Sequence, residues 1–344
     1  MATLRYTILA NYYLACYLGV RIVMLNTDRV NSNNENSAFS GTVEWKPIKS
    51  IWFLTHLLAT ILIAPVVLSI SAFLVFIALT AITLCFGHSL GMHRLLIHRS
   101  YECPKWMEYL FVYLGVLVGM AGPIGMMIQH DLRDWAQRQP QCHDYLLHGS
   151  KILKDGWRQL NCDLVLNNPP EFNIEESVSL NKFYLFIEKT WMLQQLVLAI
   201  PLFLIGGISW LVWGVSVRIV ISVGGHWLIG YFAHNKGDKT WEVEGAAVQG
   251  HNIKVAGFLS MGEAWHNNHH AYPGSAMLGL YSDEPDPGWW VLNALHNLRI
   301  VKNIKLPKQL PVRSELVAVS DNIDNRVERV PEDCEVAKFI RKGS

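Results

Sequence analysis

The chain has 344 residues, of which 51% are hydrophobic, and it carries a formal net charge of +1 at neutral pH. This length suits one large domain or two small ones, and the near-neutral charge argues against a nucleic-acid-binding protein. Long apolar runs and 13 tryptophans indicate contact with lipid instead. The six cysteines form no paired motif, so we expect a reducing, cytosol-facing exterior without structural disulfides.

The first 50 residues are predicted to precede the membrane domain. Residues 6–24 are apolar but short for a span, and they carry Arg21. An interfacial helix is therefore favoured, with an additional span as the alternative. No small-residue cleavage site follows, which argues against a signal peptide. Residues 25–50 are polar, with an Asn- and Ser-rich run at 31–38, and are predicted to form a loop.

Two long apolar stretches predict two helical hairpins. Residues 51–86 contain no charged residue, and Pro65 near the middle favours a break there. Residues 191–233 are interrupted around Gly206-Gly207 and Trp213-Gly214, and Arg218 lies near the lumenal end, where it could snorkel. The predicted spans are about 51–66, 69–87, 191–211 and 213–233. We therefore expect an all-α membrane protein with four transmembrane helices in two hairpins.

The apolar stretch at 106–128 is predicted not to cross the membrane. A crossing would separate the histidines that follow it from His93, and one metal site cannot be built across a bilayer. The stretch is expected to lie on the cytoplasmic face, since Arg94, Arg99 and Lys105 assign that side to the cytoplasm.

The polar segments between and after the hairpins are predicted to form a cytosolic helical cap. The cap completes a domain at 51–310, and it holds the histidines described below. Residues 311–344 are highly charged and lack apolar periodicity, so they are predicted to be a flexible cytosolic tail.

Five histidines in two clusters suggest metal binding. His266, His269 and His270 stand at i, i+3 and i+4, which places them on one face of a helix. His93 and His98 are separated by four residues, a spacing that needs a distorted or terminal helical turn. Imidazole is a common ligand for iron and similar metals. Packing alone does not explain a run of histidines at ligand spacing beside an apolar hairpin, so all five are predicted ligands.

Further histidines could complete the site. His234 ends the second hairpin and shares one helical face with His226 and Gly230. His234 is a predicted ligand. His226 is either a ligand or a hydrogen-bonded core residue, because a histidine in an apolar helix is costly to leave unpaired.

The middle region is less regular. His130 and Asp134, at i and i+4, could bind metal together or form a simple pair. His143 and His148 repeat the spacing of the first cluster. We predict His130 and His143 as ligands, with Asp134 and His148 as possible ones. Pro140 is expected to end or kink the helix that carries the first pair.

This many imidazoles indicates two metals, because a structural zinc takes four ligands and a catalytic zinc three. Nitrogen ligands suit an iron that cycles its oxidation state, and open positions admit oxygen. The neighbouring hairpins offer an apolar substrate. Oxidation of an unactivated C–H bond needs such an oxidant, and acid–base side chains cannot supply it.

Two motifs carry a family resemblance. The run Gly91–Ser100 resembles an HRxxxHR box, and Gly262-Glu263 with Trp265–His270 and Pro273 resembles a GExxHNxHH box. Over about residues 51–310 the chain resembles the integral-membrane fatty acid desaturases, in particular the acyl-CoA (stearoyl-CoA type) Δ9 branch. The resemblance implies a mushroom-like fold with four spans and a cytosolic cap. It also implies a histidine-bound di-iron site, molecular oxygen as co-substrate, and electrons from a small carrier such as a b-type cytochrome or a ferredoxin. No haem-binding His-Pro-Gly-Gly segment is fused to this chain.

The middle box departs from the family form, HRxHH. A register anchored on Trp135-Ala136 places Gln139, Cys142 and His143 at its three histidine positions. A register anchored on Gly122-Pro123 places His130, Arg133 and Asp134 there. Gly230 stands where the family has an asparagine near the metal. Extra histidines occur nearby, so we hypothesise a rearranged ligand set that includes His130, His143 and, as further candidates, Asp134 and His226.

The expected function is oxygen-dependent desaturation of a long-chain fatty acyl group carried by CoA or by a lipid. The histidines would hold metal, and the carboxylates Asp131 and Glu263 would fix imidazole tautomers; a helix-capping role is the alternative for Glu263. A lipid hydroxylase on the same scaffold and a non-catalytic metal- or lipid-binding membrane relative are the rival functions. The expected location is the endoplasmic reticulum of a eukaryote or the inner membrane of a bacterium.

Overall fold

A computed structural model of the chain describes residues 29–319. Within that range the protein is mostly helical, as the sequence predicts. The predicted interfacial helix at 6–24 lies outside the described residues, as does most of the predicted tail. The four cysteines in the described range are free thiols (Cys85, Cys103, Cys142 and Cys162).

The α-helices of the described range are numbered here in chain order. They are α1 Pro47–Leu62, α2 Ile70–Ile82, α3 Lys105–Leu117, α4 Pro123–Gln137, α5 Asp144–Leu147, α6 Ile152–Asn161, α7 Glu176–Ser179, α8 Lys182–Lys189, α9 Gln194–Leu211, α10 Arg218–Asn235, α11 His266–Ala271 and α12 Pro287–Asn297. Two π-helical segments, Thr83–Ile97 and Val212–Val217, continue α2 and α9 without a break. Two 3-10 turns lie at Lys254–Ala256 and Pro307–Gln309.

Short strands join segments that are distant in sequence. The strands are β1 Val30–Asn31, β2 Gly41–Trp45, β3 Cys162–Leu166, β4 Glu171–Phe172, β5 Trp241–Val243 and β6 Leu316–Ala318. They pair antiparallel as β1 with β4, β2 with β3 and β5 with β6. The prediction of a loop over 25–50 is therefore wrong at β1 and β2, because their partners lie more than a hundred residues away and leave no local signal.

The predicted tail is also wrong at its beginning. β6 pairs with β5 in the register Trp241–Ala318 to Val243–Leu316. Arg313 donates hydrogen bonds to the carbonyl oxygens of His270 (2.8 Å) and Ala271 (3.1 Å). Residues 311–319 are thus attached to the histidine-bearing helix α11, despite their polar composition.

Two helical segments are long and apolar enough to cross a membrane, Ile70–Ile97 and Gln194–Asn235, and α1 is a shorter apolar helix. The Ser69 hydroxyl caps α2 by accepting a hydrogen bond from the Ala72 amide at 3.1 Å. The predicted second span, 69–87, continues to Ile97 as the π segment. His93 therefore lies inside a helix and does not follow one.

The second long segment is bent at one of the two positions predicted from the sequence. Gly207 has φ 60° and ψ −156°, which interrupts the helix inside α9. The predicted break at Trp213-Gly214 does not form, because the chain stays helical there as the π segment Val212–Val217. Arg218 does not snorkel, contrary to the prediction. It is fully buried, and its guanidinium donates to the carbonyl oxygens of Gly214 (2.8 Å) and Leu117 and to Gln195 Oε1 (2.6 Å). These acceptors inside the protein take the hydrogen bonds that a snorkelling side chain would make with lipid headgroups and water.

The apolar stretch at 106–128 forms two helices, α3 and α4, which are separated at residues 118–122. Neither has the length of a candidate span. α3 packs closely on the π segment Thr83–Ile97, and a Cβ at Gly87 would lie 2.4 Å from the backbone at Leu114 and Gly115. This contact holds the two helices at a separation that only glycine permits.

We expect Gly87→Ala to destabilise the protein by about 1–3 kcal/mol, because the new methyl group would push α3 away from the π segment. Thermal unfolding in detergent would measure the loss. Gly224→Ala is a matched control in α10, where an added Cβ meets no atom within 4 Å. An equal loss in the two variants would show that close helix contact at Gly87 is unimportant.

Candidate metal centre

Four histidines from three parts of the chain converge to form group one. His93 and His98 come from the π segment and its end, His130 from α4 and His269 from α11. Their ligating nitrogens all lie within 4.8 Å of one another. The Nε2 atoms of His98 and His130 are 3.3 Å apart.

The π-helix explains the unusual spacing of the first cluster. The His98 amide donates to the His93 carbonyl oxygen at 3.0 Å, an i to i+5 hydrogen bond. The wider turn of a π-helix brings residues five apart onto one face. The two rings consequently lie 4.8 Å apart between centroids. The sequence indicated that a distorted turn was needed, and the structure shows which one forms.

Three further histidines form group two. His234 ends α10, and His266 and His270 are one turn apart in α11. Their ligating nitrogens also lie within 4.8 Å of one another. The Nε2 atom of His266 is 3.0 Å from that of His234 and 3.0 Å from that of His270. His234 Nδ1 donates to the Gly230 carbonyl oxygen at 2.8 Å, which leaves its Nε2 unprotonated toward the group.

Helix α11 connects the two groups and divides its histidines between them. His269 joins group one, while His266 and His270 join group two. The sequence predicted one helical face for all three histidines, and on that face the structure divides them between two groups. The ring centroids of His266 and His269 are 5.7 Å apart, so the two groups adjoin.

The two asparagines of the motif hold α11 in place. The Asn267 side chain accepts from the Thr240 and Trp241 amides (2.8 and 2.9 Å) and donates to the Trp241 and Gly250 carbonyls (2.8 Å each). The Asn268 side chain donates to the Leu278 carbonyl and to Glu284 (2.8 and 2.7 Å). A helix of six residues is not stable by itself, so these bonds orient the histidines.

The donor set fits metal binding. Each nitrogen of a neutral imidazole either carries a hydrogen or offers a lone pair. His234 Nε2 offers a lone pair, so His266 Nε2 cannot form good hydrogen bonds with both His234 Nε2 and His270 Nε2. Buried Nδ1 atoms of His130 and His269 have no hydrogen-bond partner. Burial and then the neighbouring histidines lower the pKa of His266 to about 4 and hold those of His269 and His270 well below their ordinary value. The rings are therefore neutral, which is the form that binds metal.

Arg29 ties two ligand-bearing segments together. Its guanidinium donates to Asp131 from Nε (2.7 Å) and Nη2 (3.0 Å), and Nη2 also donates to the Ile97 carbonyl (2.7 Å). Ile97 precedes His98, and Asp131 follows His130. Arg29 and Asp131 are both buried. The predicted role of Asp131 at the imidazole is replaced by this ion pair, since its Oδ1 lies 4.0 Å from His130 Nδ1.

Glu263 contacts group one directly. Its Oε2 lies 2.6 Å from His93 Nδ1, and its Oε1 accepts from the Ser89 hydroxyl at 2.6 Å. The contact with His93 is close but lacks hydrogen-bond geometry, and a carboxylate beside a metal-binding imidazole is the usual partner that orients the ring. Arg94, which also donates to Ser89, is paired with Asp286 at 2.8 Å in a fully buried ion pair.

Asp134 lies beside group one without joining it. Its Oδ2 is buried without a hydrogen-bond donor, 3.9 Å from His130 Nδ1 and 3.6 Å from the Arg138 guanidinium. Burial would raise the pKa of this carboxyl group, but His130 and Arg138 together hold it well below its usual range. The carboxylate is thus charged and available as an oxygen ligand.

The structure places His143 away from both groups, which corrects the prediction that it is a ligand. Its Nδ1 accepts from the Tyr145 amide at 3.1 Å and caps α5. Cys142 is buried in an apolar cluster with Trp135 and Tyr145, and Gln139 donates to the Trp135 carbonyl. The segment after α4 turns toward this cluster, so none of its three family positions reaches the metal groups.

His148 is fully committed to other partners, which corrects its assignment as a possible ligand. Its Nδ1 donates to Asp155 at 2.8 Å, and its Nε2 accepts from Arg133 at 3.1 Å. No lone pair remains for a metal. The ring instead stacks on that of His234, with centroids 5.3 Å apart and planes 7° apart.

His226 also lies outside both groups, although its ring is 5.0 Å from that of His88. His88 in turn lies parallel to His93 at 6.5 Å.

Sequence reasoning missed the roles of Arg29 and Ser89. No spacing rule links Arg29 to Asp131, 102 residues away, whereas Ser89, four residues before His93 in a helix, could have been noticed.

Comparison with known proteins identifies the family. The chain is 32% identical over 269 residues to an sn-1 stearoyl-lipid 9-desaturase of Anabaena variabilis, covering 77% of this chain and 94% of that protein. It is 30% identical over 276 residues to an acyl-CoA C20 Delta5-desaturase of Anemone leveillei (76% and 83%). It is 31% identical over 273 residues to a palmitoyl-monogalactosyldiacylglycerol delta-7 desaturase of Arabidopsis thaliana (77% and 71%). No protein-family model matches the chain. The chain belongs to the fatty acid desaturase family and is an oxidoreductase of lipid metabolism.

Proposed function

We propose that the protein introduces a cis double bond into a long-chain fatty acyl group at a di-iron centre formed by groups one and two. The observation that carries the proposal is the convergence of seven histidines into two adjoining groups beside the ends of long apolar helices. Bound iron would supply, with molecular oxygen, the power to oxidise an unactivated C–H bond.

The protein's own residues hold and orient this centre. His93, His98, His130 and His269 would bind one iron, and His234, His266 and His270 the other. Glu263 fixes the His93 ring, and Asp134 is the nearest free carboxylate oxygen that could add a ligand. No general base is required. His130 supports a rearranged ligand set, since it joins group one while Gln139, Cys142 and His143 do not.

The proposed arrangement in the membrane keeps four spans in two hairpins. Two candidate spans, the short apolar helix α1 and the bend at Gly207 support it. The histidine groups would face the cytosol, because Arg99 and Lys105 follow the π segment. We infer a location in the endoplasmic reticulum of a eukaryote or the inner membrane of a bacterium.

An external electron donor completes the reaction. Desaturation removes two protons and two electrons from the chain, whereas reduction of oxygen to two waters takes four electrons and four protons. A small electron carrier such as a b-type cytochrome or a ferredoxin would supply the remaining two electrons, and the solvent the remaining two protons. The relatives include desaturases named for acyl-CoA and for lipid-linked chains, so acyl groups attached to CoA and acyl groups attached to a lipid are both to be tested.

We expect the purified protein to contain one iron for each histidine group. His269→Ala should lose iron from group one, because it removes one of four ligands. Elemental analysis with Mössbauer spectroscopy would measure this loss. His143→Ala is the control, since His143 caps α5. Wild-type protein without iron, or equal loss in the two variants, would contradict the assignment.

Arg29→Met should weaken iron binding by about 10–100-fold, because Asp131 and the Ile97 carbonyl would no longer hold the segments that carry His130 and His98. Competition with a chelator would measure the change. Arg29→Lys should restore part of the affinity. Arg158→Met, which breaks an exposed pair with Asp144, is the control. Unchanged iron affinity in Arg29→Met would show that Arg29 stabilises only the fold.

Desaturation can be tested with the iron-loaded protein in lipid nanodiscs, a reductant and oxygen. Stearoyl-CoA and stearoyl phospholipid would be supplied separately, and the products analysed by mass spectrometry after derivatisation of double bonds. We expect a mono-unsaturated product from at least one of the two substrates. A hydroxylated product alone would identify a hydroxylase, and no oxidation of the acyl chain in either substrate would contradict the proposed reaction.

A further inference from the structure

Three polar side chains that the metal groups do not use lie on apolar helices near group one. His88 belongs to the π segment Thr83–Ile97, and Ser222 and His226 lie one turn apart in α10. His88 is 9% exposed and its Nδ1 has no hydrogen-bond partner. Ser222 is 3% exposed and its hydroxyl also has no partner. We call these three residues the polar pocket.

The polar pocket is accessible at one end. His226 follows Arg218 and Ser222 at intervals of four residues, so it lies on the inward face of α10. Both earlier residues are buried, yet His226 is exposed. The side chain of His226 is therefore accessible at the end of an otherwise buried row of α10.

This accessible end lies next to group one. The rings of His226 and His88 are 5.0 Å apart and nearly perpendicular, at 80°. His88 in turn lies parallel to the ligand His93, with 6.5 Å between centroids. A molecule that contacts His226 and His88 would therefore have its contacting atoms beside group one.

A purely hydrocarbon chain would leave the polar pocket unsatisfied. Burying a hydroxyl or an imidazole nitrogen without a hydrogen bond is unfavourable, because the group loses its hydrogen bonds to water. Buried polar atoms without partners are uncommon, and here two occur beside an exposed histidine. A ligand with its own donor and acceptor would complete them.

A third metal does not suit the pocket. Two imidazoles are fewer than the three protein ligands of a catalytic zinc site, and neither His88 nor His226 joins a metal-binding group within the described residues. A hydroxyl group fits better. It donates one hydrogen bond and accepts others, which matches a neutral imidazole and a serine hydroxyl.

We propose that the polar pocket binds a hydroxyl group on the acyl chain, so that the preferred substrate is a hydroxylated long-chain acyl group. This inference rests on the proposed function, because it names the substrate class of the same site. The hydroxyl would be held by His88, Ser222 and His226, and the neighbouring methylenes would be presented to group one.

The test measures binding to the metal-free protein in nanodiscs, so its result does not depend on turnover. The probes are stearic acid and its monohydroxy regioisomers. These free acids test recognition of the acyl chain without deciding between CoA and lipid as its attachment. We expect at least one regioisomer to bind about tenfold more tightly than stearic acid, the effect of one or two satisfied hydrogen bonds. Ser222→Ala and His226→Leu should each reduce that ratio to near one.

His56→Leu is the matched control, because His56 also lies in an apolar helix but is hydrogen-bonded to Ser216 at 3.1 Å. It should leave the ratio unchanged. Equal binding of stearic acid and all regioisomers would overturn the inference, as would a preference that survives in both pocket variants. A third metal ion per chain that is lost in His226→Leu would also overturn it.

If His226→Leu does not fold, Ser222→Ala decides the outcome, since it removes one oxygen atom from a small buried side chain. Failure of the proposed reaction is detected separately, by missing iron or missing oxidation of stearoyl substrates. The two hypotheses can therefore fail independently.

Discussion

The central constraint on this structure is the burial of many neutral imidazoles with their nitrogens facing one another. These rings cannot all satisfy each other by hydrogen bonds, because each nitrogen either donates or accepts and His234 Nε2 can only accept. The Nε2 atom of His266 lies only 3.0 Å from that of His234 and 3.0 Å from that of His270. A bound cation would resolve this conflict, because burial keeps the rings neutral and neutral imidazole is the form that binds metal.

Buried polar contacts behind the histidines make that convergence possible. Arg29 joins Asp131 to the Ile97 carbonyl, and Glu263 holds the His93 ring. Removal of one partner of a buried ion pair is far more costly than loss of an exposed pair. These contacts thus couple the positions of the histidines to the stability of the surrounding structure. A change in the position of β1, which directly follows Arg29, would therefore shift the segments that carry His98 and His130.

The π segment has a corresponding role on the membrane side. Its i to i+5 hydrogen bonding aligns His93 with His98, and its glycines permit close packing with α3. π-helical turns often occur at functional sites because they place side chains where an α-helix cannot. The segment also carries His88, so the same distortion that builds group one directs a further polar side chain toward α10.

The departure of the middle box now has a structural explanation. After α4 the chain turns into an apolar cluster that buries Cys142, and His143 caps a short helix. His130, one helix earlier, reaches group one in their place.

The sequence by itself determined the candidate metal ligands and the main helices. Seven of the eight predicted histidine ligands lie in the two groups, because ligand type and local spacing are properties of short segments. The bend at Gly207 was predictable for the same reason. Only the tertiary structure decided that His269 separates from His266 and His270, that His148 is occupied by Asp155 and Arg133, and that Arg29 supports group one. These outcomes depend on contacts between segments far apart in the chain, and no local pattern encodes which partner a buried polar group will meet.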